Sequence, residues 1–331
     1  SLKESPLRGL VLAAAIDRVE KDDTSDIAAG DETYQTLGSA RFFLSKSEWL
    51  GLYYVHREQT TAAGKQVTAH VLDLAGDIHF AIAEAHTLRL QFELAGIFGE
   101  TDLAPSPEHP THAIYQYGGL ARLQWRTTAL PLWAELDLGL FSGDSNLDDG
   151  RLTRFVGDRN LQQGMILFPT VLAWHTGRQR ISADRPEVMG YPPEDLDRLA
   201  SDGGVTAAVT LYPKAVWTPT DWLDIYAGFL VALATEHIPD PYTSRTQGGG
   251  APRNSLGNAP TSPLLGFEVD LGIRARLDVP DLDLGVVLSA EYGTFIPGGA
   301  LDGLEVIHAT QLTFAIRNTV TIEAHAQEGA Q

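Results

Sequence analysis

The chain has 331 residues, 44% of them hydrophobic, and a formal net charge of −19. That is too apolar for a disordered polymer and enough for one large domain. The absence of cysteine excludes disulfides, thiolate metal sites and cysteine nucleophiles, and an acidic chain with no Lys/Arg cluster excludes a nucleic-acid surface.

No run of about 18 apolar residues occurs, so no membrane-crossing helix is expected. The opening SLKESPLRGL lacks a signal-peptide pattern, from which numbering after processing is expected.

The dominant pattern is alternation with period two, which sends successive side chains to opposite faces of a strand. Taken in chain order it predicts strands over 7–19, 34–45, 48–57, 66–82, 87–99, 112–126, 131–143, 204–217, 221–237, 263–278, 282–296 and 305–323. The clearest case sets Leu265, Phe267, Val269, Leu271, Ile273 and Leu277 against Glu268, Asp270, Arg274 and Arg276. Leu88, Leu90, Phe92 and Leu94 stand likewise against Arg89, Gln91 and Glu93, and Leu136, Leu138 and Leu140 against Glu135 and Asp137. Short turns are expected near Lys46, Ala85, Thr128, Thr218 and Val279. Long connections are expected over 20–33, 58–65, 100–111, 144–203, 238–262 and 297–304, all at the opposite end from the turns.

A soluble sandwich would alternate in the same way, with its apolar face turned inward. Three features favour a membrane barrel instead. The strands are long, roughly 11 to 17 residues against about 5 or 6 in soluble sheets. Trp125, Trp133, Trp217 and Trp222 sit at strand ends, where interfacial girdles form. Short and long connections alternate. The expected fold is therefore all-β: a closed antiparallel transmembrane up-and-down β-barrel of about 12 strands, or about 14 if two more are hidden, in a bacterial outer membrane. Residues 1–331 form a single domain on this reading. The excursion 144–203 is a long outer loop whose apolar middle, Met165 to Trp174, folds over or into the barrel mouth.

Two stretches carry a resemblance. The hairpin LGFEVDLGIRARL with LDLGVVLSAEYGTFIPGG, and the segment LPLWAELDLGLFSGDSNLDDGRLTRFVGDRNLQQGMILFP, are similar to the outer-membrane porin-like barrels of Gram-negative bacteria, including the alginate-export-like group. The resemblance implies a porin-like barrel acting in transport.

With the apolar face outward, the lumen receives Asp73, Asp77, Arg89, Glu93, Arg122, Arg126, Glu135, Asp137, Asp224, Glu268, Asp270, Arg274, Arg276 and Arg317. Their mixed signs fit either a salt-bridge network that holds the barrel or the lining of a passive channel for small polar or charged solutes. In the loop, Asp144, Asn146, Asp148 and Asp149 before Gly150 space oxygen ligands as a Ca²⁺ loop could, although an ordinary acidic turn accounts for the same composition. Histidines form no HExxH pair, and Ser142 stands in FSGD, outside a nucleophile elbow, so no enzyme is expected. Outer-membrane lipid and lipopolysaccharide are the expected surroundings. The alternative function is a non-conducting anchor or assembly barrel whose loops 144–203 and 238–262 bind a protein partner.

Overall fold

The computed structural model of the chain describes residues 9–20, 30–103, 109–146, 149–177, 200–240, 250–254, 256–279 and 284–318. Within them one 13-stranded sheet is laid down in chain order. Its strands are β1 (Leu10–Arg18), β2 (Glu32–Phe43), β3 (Trp49–Thr60), β4 (Gln66–Ala83), β5 (His86–Thr101), β6 (His112–Thr127), β7 (Leu132–Phe141), β8 (Arg151–Leu152), β9 (Ala208–Thr220), β10 (Leu223–Ala234), β11 (Leu264–Val279), β12 (Leu284–Pro297) and β13 (Ile307–Asn318).

All the long strands pair antiparallel with their neighbours, an up-and-down order that needs only local connections. The two-residue β8 is the exception, lying parallel to the start of β6. Each predicted strand is present, shifted at its ends by a few residues. β7 pairs directly with β9, so no strand of the 144–203 segment comes between them. Among the described residues no ladder joins β1 to β13, so those two strands are the ends of the order and the expected closure is not recorded as a ladder.

The alternation of connection lengths is less strict than the sequence suggests. β3 runs on to Thr60, past its predicted end at 57, so the connection expected over 58–65 contracts to residues 61–65. Gly64 takes φ +80° there and its N–H bonds Thr61 O at 2.8 Å, while Thr61 N–H bonds Lys65 O at 2.8 Å. At the opposite end the β2–β3 turn is closed by the Leu44 N–H to Glu48 O bond of 2.9 Å and by Ser45 Oγ, which accepts from Glu48 N–H at 3.1 Å.

The sheet's two faces are chemically opposite, and register keeps them so across strands. Leu52, Leu74 and Leu94 stand side by side on one face; Arg122 stands opposite Asp137 on the other. The apolar face is exposed: Leu94, Leu138 and Leu271 show 50%, 46% and 48% of their surface. The polar face hides its charges, with Asp137, Glu268 and Asp270 all at 0%. A protein folded in water does the reverse. The aromatic ends divide between the faces. Trp125 stacks on His86 at 5.7 Å, and Trp217 and Trp222 are exposed, but Trp133 turns to the polar face beneath the Arg126 guanidinium, 5.5 Å from its ring centroid. It does not belong to the expected girdle.

β4, β5 and β6 are each paired along most of their length on both sides, whereas among the described residues β1 and β13 each have one partner. Hydrogen exchange should therefore be slowest in β4–β6. Protection of β1 and β13 equal to that of β5 would show that the two edges pair with each other, and faster exchange in both would show them open.

Candidate functional site: a charged face beneath a helical segment

Strand register gathers the sequence-predicted charges into separate groups on the polar face. Arg122 Nε and an Nη of the same side chain donate to the two oxygens of Asp137 at 2.7 and 2.8 Å, a bidentate pair between facing residues. Lys214 pairs with Glu135, lies 3.5 Å from Asp137 Oδ2, and sits 4.8 Å from the Tyr212 ring centroid. Sequence analysis did not single out Lys214, although its place in the alternating run LYPKAVW puts it on the polar face.

A second group joins Arg89 to Asp77 by two bonds of 2.8 and 2.5 Å, with Gln91 adding a bond of 3.3 Å. In a third, Arg276 pairs with Asp224, which also accepts from Thr218 Oγ1 at 3.0 Å. Arg126 donates to Gln124 Oε1 at 2.9 Å. Asp73 and Glu93 hydrogen-bond each other. Arg274 is exposed, and Arg317 is paired at its backbone with Gly285.

Glu268 and Asp270 have a different setting, which the long loop creates. Its apolar middle forms a helical segment, Leu167–Leu172, that continues as α-helix through residue 177. Val171 N–H reaches back to Ile166 O at 2.9 Å, the wider five-residue spacing of a π-turn. Pro169 is tolerated because it stands in the first turn, where a backbone N–H would lack a helical partner anyway. The N–H groups of Met165, Ile166 and Leu167 all donate to the Glu268 carboxylate, those of Ile166 and Leu167 at 2.7 and 2.9 Å. One buried carboxylate thus satisfies three orphan donors and meets the positive end of the helical segment. Next to it, Tyr212 Oη donates to Asp270 Oδ2 at 2.8 Å. Gly164 admits this approach: its φ is +77°, and a Cβ there would come within 2.8 Å of Glu268 Oε2.

The helical segment also carries the hydrophobic core. Ile166, Leu167, Phe168 and Leu172 are buried against Phe141 of β7, Leu230 and Ala232 of β10, Leu265 of β11 and Phe295 of β12. The core therefore lies between a loop and the polar face, at the long-connection end. A sequence signal for it exists in the unbroken apolar run FLVALA at 229–234, where alternation stops because the inward positions Leu230 and Ala232 are apolar too and lie buried, while Phe229 and Leu233 stay exposed on the other face.

The acidic loop residues serve the backbone. Asp144 accepts from Asn146 N–H at 3.0 Å and from Thr153 N–H at 2.9 Å, and Asp149 accepts from Arg151 N–H at 3.0 Å. Burial pushes the Asp144 carboxyl above its ordinary range and pulls the nearby Arg154 guanidinium down to about 10. Asp148 lies outside the described residues, and among those described no three His, Asp or Glu side chains converge to hold a metal.

No family model and no curated protein matches the chain. Among solved structures it is similar to OccK11 (OpdR) of Pseudomonas aeruginosa, with a TM-score of 0.44 and 11% identity over 93% of this chain and 70% of that one. It is also similar to the ferric-catecholate import receptor Fiu of E. coli, with a TM-score of 0.35, 9% identity and coverage of 95% and 58%. The ferric preacinetobactin receptor BauA of Acinetobacter baumannii gives a TM-score of 0.35, 10% identity and coverage of 93% and 44%. The chain thus spans about half the length of the two receptors.

Two outcomes test the site. Glu268→Ala should leave three buried N–H donors unmet and raise protease cleavage within 149–177 at least tenfold, with Glu268→Gln intermediate because its amide oxygen can keep part of the set. Arg122→Ala should cost about 3–5 kcal/mol by stranding the buried Asp137, whereas the double change Arg122→Met with Asp137→Leu should restore most of that loss in a urea titration.

Proposed function

We propose that this chain is a bacterial outer-membrane β-barrel, closed by β1 against β13, that passes small polar or charged solutes along a mixed-charge lumen narrowed by the 144–203 loop. The observation that carries the reading is the inverted distribution of side chains, with leucines exposed on one face and paired charges buried on the other. Acyl chains are the solvent that suits the first face, and a hydrated interior suits the second. Closure follows from the same physics, because unpaired amides at the β1 and β13 edges would each cost several kcal/mol in hydrocarbon. Among the described large apolar side chains the most exposed lie at those edges, Ile16 of β1 at 79% and Leu312 of β13 at 78%.

The helical segment favours a second reading, in which the barrel does not conduct and serves as an anchor whose outer loops hold a protein partner. Its support is the buried apolar packing across β7 and β10–β12, which occupies the polar face at the long-connection end.

Purified chain reconstituted in a planar bilayer should give small discrete conductance steps, and Phe168→Ala should enlarge them by loosening the packed segment. Silence in both proteins would turn the assignment to the anchor. A folded monomer in detergent-free buffer would sink both readings. Within the membrane reading, Leu94→Arg should destabilise the barrel in lipid vesicles by roughly 2–4 kcal/mol, while Thr313→Arg, on the polar face opposite Ser289, should change stability little.

A further inference from the structure

Away from the helical segment, at the short-turn end of the polar face, β1–β5 line an open groove of about 570 Å³. Its construction follows from one row of the register, in which Arg41 of β2, Gly51 of β3, Ala75 of β4 and Glu93 of β5 stand side by side. The middle two positions carry no side chain beyond a methyl group. They form a floor between a cation and a carboxylate whose Cα atoms are three strand spacings, roughly 14 Å, apart. Trp49 and Tyr53 add aromatic surface to the lining.

Charge is left unmatched across that floor. Arg41 lies over the Trp49 ring at 4.4 Å from its centroid, and among the described residues no carboxylate pairs with it. At the other wall Asp73 meets only Glu93, and Asp73 Oδ1 is shielded from solvent without any hydrogen-bond donor. The buried carboxylates elsewhere on this face meet a guanidinium, an ammonium, a phenol or backbone N–H groups, although Asp270 Oδ1, like Asp73 Oδ1, has no donor. Arg41 and Glu93 are exposed at the two ends of the floor, so their charges are open to an incoming partner, while the shielded Asp73 oxygen lacks the cation or N–H that such a group needs.

From this groove we infer a binding site for a small zwitterion of the amino-acid class, its ammonium seated between Asp73 and Glu93 and its carboxylate on Arg41, with a short alkyl spacer lying over Gly51 and Ala75. The site rests on the proposed lumen, which would bring solute to it. Arg41 would offer a planar fork to the carboxylate, and the face of Trp49 holds that fork in place. A cation alone would leave Arg41 unmatched, and an anion alone would leave the two acids unmatched.

The test is calorimetric titration of the detergent-purified protein with 5-aminopentanoate, pentylamine and pentanoate, which does not depend on conduction. 5-Aminopentanoate should bind at least tenfold more tightly than either singly charged probe, and Glu93→Gln and Arg41→Gln should each weaken it at least tenfold. Gly51→Leu should abolish binding by filling the floor, where even a Cβ would come within 3.1 Å of the Trp49 ring. Heat-modifiable gel migration checks that each variant is folded. Equal binding of pentylamine and 5-aminopentanoate, or no binding by folded wild-type protein, would overturn the site while leaving the membrane reading intact. A chain that binds the zwitterion yet stays folded without detergent would overturn the membrane reading and keep the site.

Discussion

Everything in this molecule depends on which solvent each face of the sheet can tolerate. Strand ladders satisfy the backbone along the interior strands, so the ladder itself does not choose a surrounding medium. Side chains choose it. A row such as Leu52, Leu74 and Leu94 would be driven by water to find a cover, yet it lies bare, while the opposite face hides Asp137 at 0% exposure beneath Arg122. Burying a carboxylate costs several kcal/mol unless it is paired and hydrogen-bonded, and the bidentate geometry of Arg122 with the nearby Lys214 meets that requirement.

The helical segment solves a related problem. The apolar residues Ile166, Leu167, Phe168, Val171 and Leu172 need cover and find it on the sheet, while Trp174 at the end of the run stays exposed, and a helix start cannot be buried with three N–H groups unmet. Both demands are met in one place: the side chains pack on Leu230, Leu265 and Phe295, and the N–H groups converge on Glu268. The hydrophobic contact offsets the desolvation of the carboxylate, and the carboxylate fixes where the contact forms. Neither would suffice alone.

Much of the sheet was legible in the sequence because period two is a local property. The alternation of Phe267–Leu277 specifies a strand and its two faces without knowledge of any neighbour, and short turns such as that near Ala85 specify antiparallel order. Leu265, expected on the same outer face, lies instead in the core beneath the helical segment because the β10–β11 register shifts beside it. Faces were legible for the same reason, which is why the named charges fall on one side of the ladders. Partners were not. Nothing in the alternation says that Arg122 stands opposite Asp137, since that depends on register across a turn, and a shift of one residue would exchange the faces altogether. Trp133 was misplaced because proximity to a turn was read ahead of its parity, which it shares with Glu135 and Asp137. The setting of Glu268 was hidden more deeply, because its three donors come from residues about a hundred positions away.

The two halves of the sheet consequently differ in how their charges are matched. Along β6–β12 most charges are met within the chain: Arg122 and Lys214 answer Glu135 and Asp137, Arg276 answers Asp224, and the helical segment answers Glu268, while Asp270 Oδ1 has no donor. Along β1–β5 Arg89 answers Asp77, and Arg41 stands three strands from Glu93, too far to pair across the small residues Gly51 and Ala75. A larger side chain at either floor position would fill the gap and leave the charges no less unmatched. Gly51 and Ala75 thus leave an open floor between exposed charges of opposite sign, and it is there that the polar face keeps groups still able to change partners.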